Sequence, residues 1–115
     1  MHETHDDRTW LDTGVSPAEL GGDPLRLDWE PPRALAIVGP DIVCFEDTCP
    51  HEDFSLSEGF LEGGIIECSF HFARFCLRSG AVLTQPARRG LLVYDVQVRQ
   101  GRIFVSESPL DRPTD

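Results

Sequence analysis

Two cysteine and histidine pairs constrain this chain more than anything else in it: Cys49-Pro50-His51, and then Cys68-Ser69-Phe70-His71, with sixteen residues between them. Two thiolates and two imidazoles grouped in this way form a donor set for one metal centre, so the fold has to bring two loops together at one point. A tetrahedral structural zinc site is one occupant of such a set. Zinc pairs are usually separated by two or more residues, however, and Cys-x-His is short for two ligands on one ion.

The segments around these pairs are short, rich in β-branched residues and bounded by Gly, Pro or Asp, which predicts an all-β domain. Candidate strands are Leu25 to Asp28, Ala34 to Val38, Ile42 to Phe45, Ile65 to Glu67, Phe75 to Leu77, Leu91 to Arg99 and Arg102 to Ser106. Val93, Asp95, Gln97 and Arg99 alternate with Tyr94, Val96 and Val98, which marks a strand without saying which face turns inward. Gln100-Gly101 predicts a tight hairpin, and Gly39-Pro40-Asp41 a second. Ser16 caps a single helical turn from Pro17 that ends at Gly21-Gly22.

The residues around the two pairs extend the pattern. Cys49-Pro-His-Glu-Asp-Phe-Ser-Leu-Ser-Glu-Gly-Phe-Leu, Ile66-Glu-Cys-Ser-Phe-His-Phe-Ala-Arg-Phe and Arg78-Ser-Gly resemble the cluster-binding segments of small bacterial Rieske ferredoxins, and the resemblance runs from about Trp10 to Val105. It implies one 2Fe-2S Rieske cluster, with Cys49 and Cys68 on one iron and His51 and His71 on the other. It also implies the Rieske fold: an antiparallel β-sandwich base, about residues 9–46 and 86–107, with an inserted cluster-binding subdomain at about 47–85. The whole chain, 1–115, then forms a single domain with mobile tails at 1–8 and 108–115.

By the same resemblance the chain is a soluble one-electron carrier between a flavin-dependent ferredoxin reductase and the terminal oxygenase of an aromatic-ring-hydroxylating dioxygenase system. As such it is a monomer with no catalytic activity of its own. Two alternatives stand beside this: the small Rieske subunit of a nitrite reductase, whose relatives often lack cluster ligands, and a structural zinc-binding interaction domain.

Composition narrows the field further. A chain of 115 residues, 40% hydrophobic, suffices for one core. No apolar run approaches the ~18 residues of a membrane span, and Met1 to Arg8 lacks the cationic start and apolar stretch of a secretory signal. The expectation is a cytoplasmic protein without a membrane partner. All ten basic residues are Arg against twenty acidic ones, a net charge of −10, which makes nucleic acid a poor partner. Seven of the carboxylates fall between Glu46 and Glu67, where there is no Arg, and Arg74, Arg78, Arg88 and Arg89 follow the second pair. A solvated acidic face and a docking surface account for this equally well. Cys44 and Cys76, outside the pairs, read as buried small hydrophobes.

Departures from relatives carry information too. High-potential Rieske proteins brace the two ligand loops with a disulfide, and the corresponding positions here are Phe54 and Phe70. They also bond the cluster sulfurs with Ser and Tyr hydroxyls, where this chain has Phe72-Ala73-Arg74-Phe75. Together with the acidic first loop, this predicts a midpoint at the low end of the Rieske range of about −150 to +300 mV, unchanging between about pH 6 and 8. Ala73 stands where small ferredoxins commonly have Gly, and Gly90 where a proline is usual; Pro86 matches. Phe72 is either core or an apolar contact for partners, and His2 and His5 are solvated.

Overall fold

The computed structural model describes residues 9–49, 55–68, 73–83 and 90–110. In chain order the strands are β1 (Trp10–Asp12), β2 (Leu25–Leu27), β3 (Arg33–Val38), β4 (Asp41–Glu46), β5 (Phe60–Glu62), β6 (Ile65–Glu67), β7 (Arg74–Cys76), β8 (Val93–Tyr94), β9 (Val96–Arg99) and β10 (Arg102–Ser106). They pair antiparallel throughout, in three sheets ordered β1-β10-β9, β2-β3-β4-β8 and β5-β6-β7. This is the all-β, antiparallel architecture expected from the sequence.

Both expected hairpins form. Arg99 pairs with Arg102, leaving Gln100 and Gly101 as a two-residue turn at φ 52° and 76°, the doubly positive conformation whose twist matches the flanking strands. Val38 pairs with Asp41, so that turn is Gly39-Pro40, with Gly39 at φ 60°. The turn after Ser16 is a single 3-10 turn, Pro17–Glu19, in which the Glu19 carboxylate accepts from the Ser16 amide at 2.9 Å.

Three differences from the expected strands have physical causes. The run Leu91 to Arg99 is two strands, because the chain changes sheets at Asp95: Tyr94 pairs with Cys44 on β4, whereas Val96 pairs with Val105 on β10. At the crossover the Asp95 amide donates to the Ser106 hydroxyl at 2.9 Å, and its carboxylate accepts from the adjacent Val96 amide at 3.0 Å, so side-chain oxygens satisfy the backbone there. The strands β1 and β5 escaped the pattern reading because each is three residues long and held by its neighbour, β10 and β6 respectively.

The sheet β2-β3-β4-β8 is covered on both faces. From β3, Ala34, Ala36 and Val38 enter one apolar cluster with Phe45, Leu56, Ile66, Phe75 and Leu77. Leu35 points the other way, into a second cluster with Cys44, Tyr94, Ile103 and Val105. The period of two in a strand therefore assigns alternate residues to the two cores, which is why β3 reads as a nearly unbroken apolar run. In sequence, β5, β6 and β7 all fall between the paired neighbours β4 and β8. Sheet β5-β6-β7 thus packs as an insertion against one face, and sheet β1-β10-β9 covers the other.

Candidate metal centre

Sheet β5-β6-β7 carries the second pair of the sequence pattern, which follows the end of β6. Its register sets Phe60 opposite Glu67, and Glu67 opposite Arg74, so the start of β5, the end of β6 and the start of β7 share one edge. The chain leaves that edge at Cys68 and returns at Ala73, and the Cys68 amide donates to the Ala73 carbonyl at 2.8 Å. Cys49 follows the end of β4 by three residues, and the Leu56–Glu58 3-10 turn leads from that side into β5.

Both cysteines of the sequence pattern are buried. Cys49 is 2% exposed and Cys68 is fully buried, and both belong to the apolar cluster built by Ala34, Phe45, Leu56, Ile66 and Phe75. Neither is in a disulfide, nor are Cys44 and Cys76. His51, His71, Phe54, Phe70, Phe72 and Pro86 lie outside the described residues. Among the described residues no group of three or more His, Cys, Asp or Glu side chains gathers as a complete metal shell.

Ala73 is fully buried, and among the described residues Gln100 is the one non-glycine with positive φ. The Gly-to-Ala departure therefore requires no left-handed backbone at 73, and its methyl fills core space. Gly59, in contrast, has a strict steric role: a Cβ there would collide with the Glu67 carbonyl oxygen. The two backbone arms touch at this point, one residue before Cys68.

The other two cysteines differ from each other. Burial pushes the Cys44 thiol up to about 12, only partly opposed by the nearby Arg33 guanidinium. Cys76, expected to be buried, is partly exposed, because it falls on the outward face of β7 opposite Ile65. Its partial burial raises the thiol, but hydrogen bonds from Ser79 and the Arg78 backbone outweigh this and leave it below the ordinary value. The same outward face carries Phe60, 63% exposed, beside Glu62, Glu67 and Arg74.

One residue close to the pair escaped the sequence reading. Asp47 is a fully buried carboxylate two positions before Cys49. Only the Ser-x-Ser spacing at Ser55 and Ser57 hints at its partners.

Comparison with known proteins places these features. Residues 11–98 match the family model for the Rieske [2Fe-2S] domain. The chain is 42% identical over 85 residues, 73% of its own length and 80% of the relative's, to the 3-phenylpropionate/cinnamic acid dioxygenase ferredoxin subunit of Escherichia coli K12. A chain in the solved complex of reduced oxygenase and oxidized ferredoxin in carbazole 1,9a-dioxygenase superposes with a TM-score of 0.83 at 31% identity, covering 92% of this chain and all of that one. The ferredoxin of carbazole 1,9a-dioxygenase from Nocardioides aromaticivorans IC177 superposes at 0.78 with 25% identity, over 89% of this chain and 99% of that one. No helix in the described residues is long and apolar enough to cross a membrane.

Proposed function

This chain belongs to the Rieske [2Fe-2S] family, and from that premise we propose that it is a cytoplasmic, monomeric one-electron carrier, receiving electrons from a flavin-dependent reductase and delivering them to the terminal oxygenase of an aromatic-ring-hydroxylating system. The observation that carries this reading is the pairing of an intact four-residue donor set with relatives that are ferredoxin subunits of dioxygenases. The relatives described above are dioxygenase ferredoxins, which favours the carrier over a nitrite reductase subunit, and the chain is a component of an oxygenase system rather than a catalyst in itself.

The ligands in this proposal are Cys49 and Cys68 on one iron and His51 and His71 on the other. The donor chemistry fits. Two soft thiolates suit iron bridged by sulfide, and two neutral imidazoles leave the centre less negative than four thiolates would, so an electron is accepted more readily. The cluster supplies reversible one-electron chemistry; the chain supplies a dry pocket and the means to present it. Phe45, Leu56, Ile66 and Phe75 exclude water from the cysteine side, which limits hydrolytic loss of iron and sets the local dielectric. The imidazoles of His51 and His71 each keep a second nitrogen free to hold a proton. The chain divides, in this reading, into a base at about 9–46 and 86–107 and a cluster-binding part at about 47–85.

Colour and spin decide the proposal. The purified chain is expected to be red-brown, to give a rhombic electron paramagnetic resonance signal on reduction, and to restore turnover when added to a reductase and a Rieske oxygenase that lack a carrier. A colourless protein that binds stoichiometric zinc overturns it, as does a cluster that persists after Cys49→Ala and His71→Ala.

A further inference from the structure

Asp47 has no part in the donor set, yet its carboxylate accepts four hydrogen bonds. It is fully buried, and its Oδ1 accepts from the Ser57 amide at 2.6 Å. Its Oδ2 accepts from the Ser57 hydroxyl at 2.8 Å, the Ser55 hydroxyl at 2.9 Å and Arg26 Nη1 at 2.7 Å. Arg26 comes from β2 and also donates to Ser55 at 2.9 Å. The Asp47 amide in turn donates to the Pro32 carbonyl at 3.1 Å.

These bonds share a topological consequence. Position 47 precedes Cys49 by two residues, and positions 55 and 57 follow His51 by four and six. One carboxylate thus ties together the two ends of the first ligand segment, and Arg26 fastens that knot to the sheet below. Carboxylates are rarely left fully buried without such partners, because desolvation is costly. Here each partner is a donor and none is a ligand. We propose that Asp47 is the positioning residue of the first ligand segment, its buried carboxylate fixing the chain closure that presents Cys49 and His51 to iron. This rests on the ligand assignment above.

The test follows retention and spectrum of the cluster in the full-length protein, not electron-transfer activity. Loaded wild type, Asp47→Asn and Ser57→Ala are incubated with an iron chelator while the visible absorption is recorded. Asp47→Asn is expected to bleach about tenfold faster, in the range typical of lost outer-shell support, with a shifted rhombic signal. Ser57→Ala, which keeps the amide bond to Oδ1, should bleach faster than wild type but slower than Asp47→Asn. Ser106→Ala serves as the control. It disrupts a buried hydroxyl far along the chain, which accepts from the Asp95 amide at 2.9 Å and donates to the Ser108 carbonyl at 2.8 Å, and it should lower stability while bleaching at the wild-type rate.

A wild-type bleaching rate and signal in Asp47→Asn overturn the proposal. So does acceleration in Ser106→Ala equal to that in Asp47→Asn, which would make the effect one of general stability. Should Asp47→Asn fail to fold, Ser57→Ala and Arg26→Gln decide in the same way, wild-type retention in both overturning it. Cys49→Ala and His71→Ala separate the two failures. Iron held by those variants defeats the ligand assignment, whereas iron lost by them and kept by Asp47→Asn defeats the positioning role alone.

Discussion

The Arg33 guanidinium, from β3, lies 3.6 Å from the centroid of the Tyr94 ring on β8, a buried cation that reaches past β4 to stack on an aromatic face. Its Nη1 donates to the Ser106 carbonyl at 2.7 Å and its Nη2 to the Glu107 carbonyl at 2.8 Å, so one side chain locks the end of β10 onto β3. Arg33→Ala leaves two carbonyls without these donors and removes the stack, and is expected to cost about 2–4 kcal/mol. Arg33→Lys should recover less than half of this, since an ammonium cannot reproduce the planar fork. Urea unfolding of the loaded proteins measures both; a loss below about 0.5 kcal/mol for Arg33→Ala, within the range of ordinary surface substitutions, contradicts the assignment.

The contact between Gly59 and the Glu67 carbonyl predicts a contrast between two glycines. Gly59 has φ −87°, which any residue accepts, so the obstacle to a side chain there is purely steric and made of backbone. Gly14 has φ +75° with nothing within 4 Å of an added Cβ, so its obstacle is purely conformational. Gly14→Ala is expected to cost about 1 kcal/mol and leave the cluster spectrum intact. Gly59→Ala should cost more and also change the rhombic signal, because the backbone around residue 59 and Glu67 is forced apart beside Cys68. Equal effects of the two substitutions on the spectrum would refute this.

Cys44 gives the fold an alkaline limit. In the unfolded chain its thiol ionises near the ordinary value of 9.0, and in the folded protein burial defers this to about 12. Between those values the unfolded state has lost a proton that the native state still holds, so stability falls as pH rises, by at most about 1.4 kcal/mol per pH unit for one group. Below pH 9 the contribution is constant. Cys44→Ala is expected to flatten the decline, which thermal unfolding between pH 8 and 11 will measure; an unchanged slope would assign the alkaline limit to other groups.

How much of this was readable in the chain depends on the range of the forces involved. Ile65 to Glu67 and Arg102 to Ser106 were legible to the residue because β-branched runs bounded by turn residues form strands locally. β5 was not, since Phe60-Leu-Glu acquires its conformation from β6 alongside it. Cys49 and Cys68 stand out as a pair from their spacing alone, and the fold buries both in one apolar cluster. Asp47 was not. In a run of carboxylates it reads as solvated charge, and only Ser55, Ser57 and Arg26, brought from 8 to 21 residues away, make it a buried anchor. Cys76 failed for the opposite reason: it sits between Phe75 and Leu77, whose side chains are both buried, so strand alternation turns Cys76 outward despite its apolar neighbours.

The surroundings of the cysteines bear on the redox potential. The residues that return to the sheet after the second pair, Ala73 and Phe75, are fully buried and bring no hydroxyl, and Glu67, directly before Cys68, adds a half-buried carboxylate on the outward edge. Negative charge near the centre disfavours an added electron, and sulfurs without hydroxyl donors hold the reduced state less well. The midpoint is expected below about +100 mV, in the lower part of the Rieske span. Glu67→Gln removes one negative charge and should raise it by roughly tens of millivolts, the scale of a unit charge acting through a high effective dielectric. The increment should shrink with added salt, as the Glu67 side chain is not fully buried. Protein-film voltammetry at two ionic strengths supplies both numbers; a midpoint above +100 mV, or a downward shift in Glu67→Gln, would show that hydrogen bonds from another part of the chain control the potential.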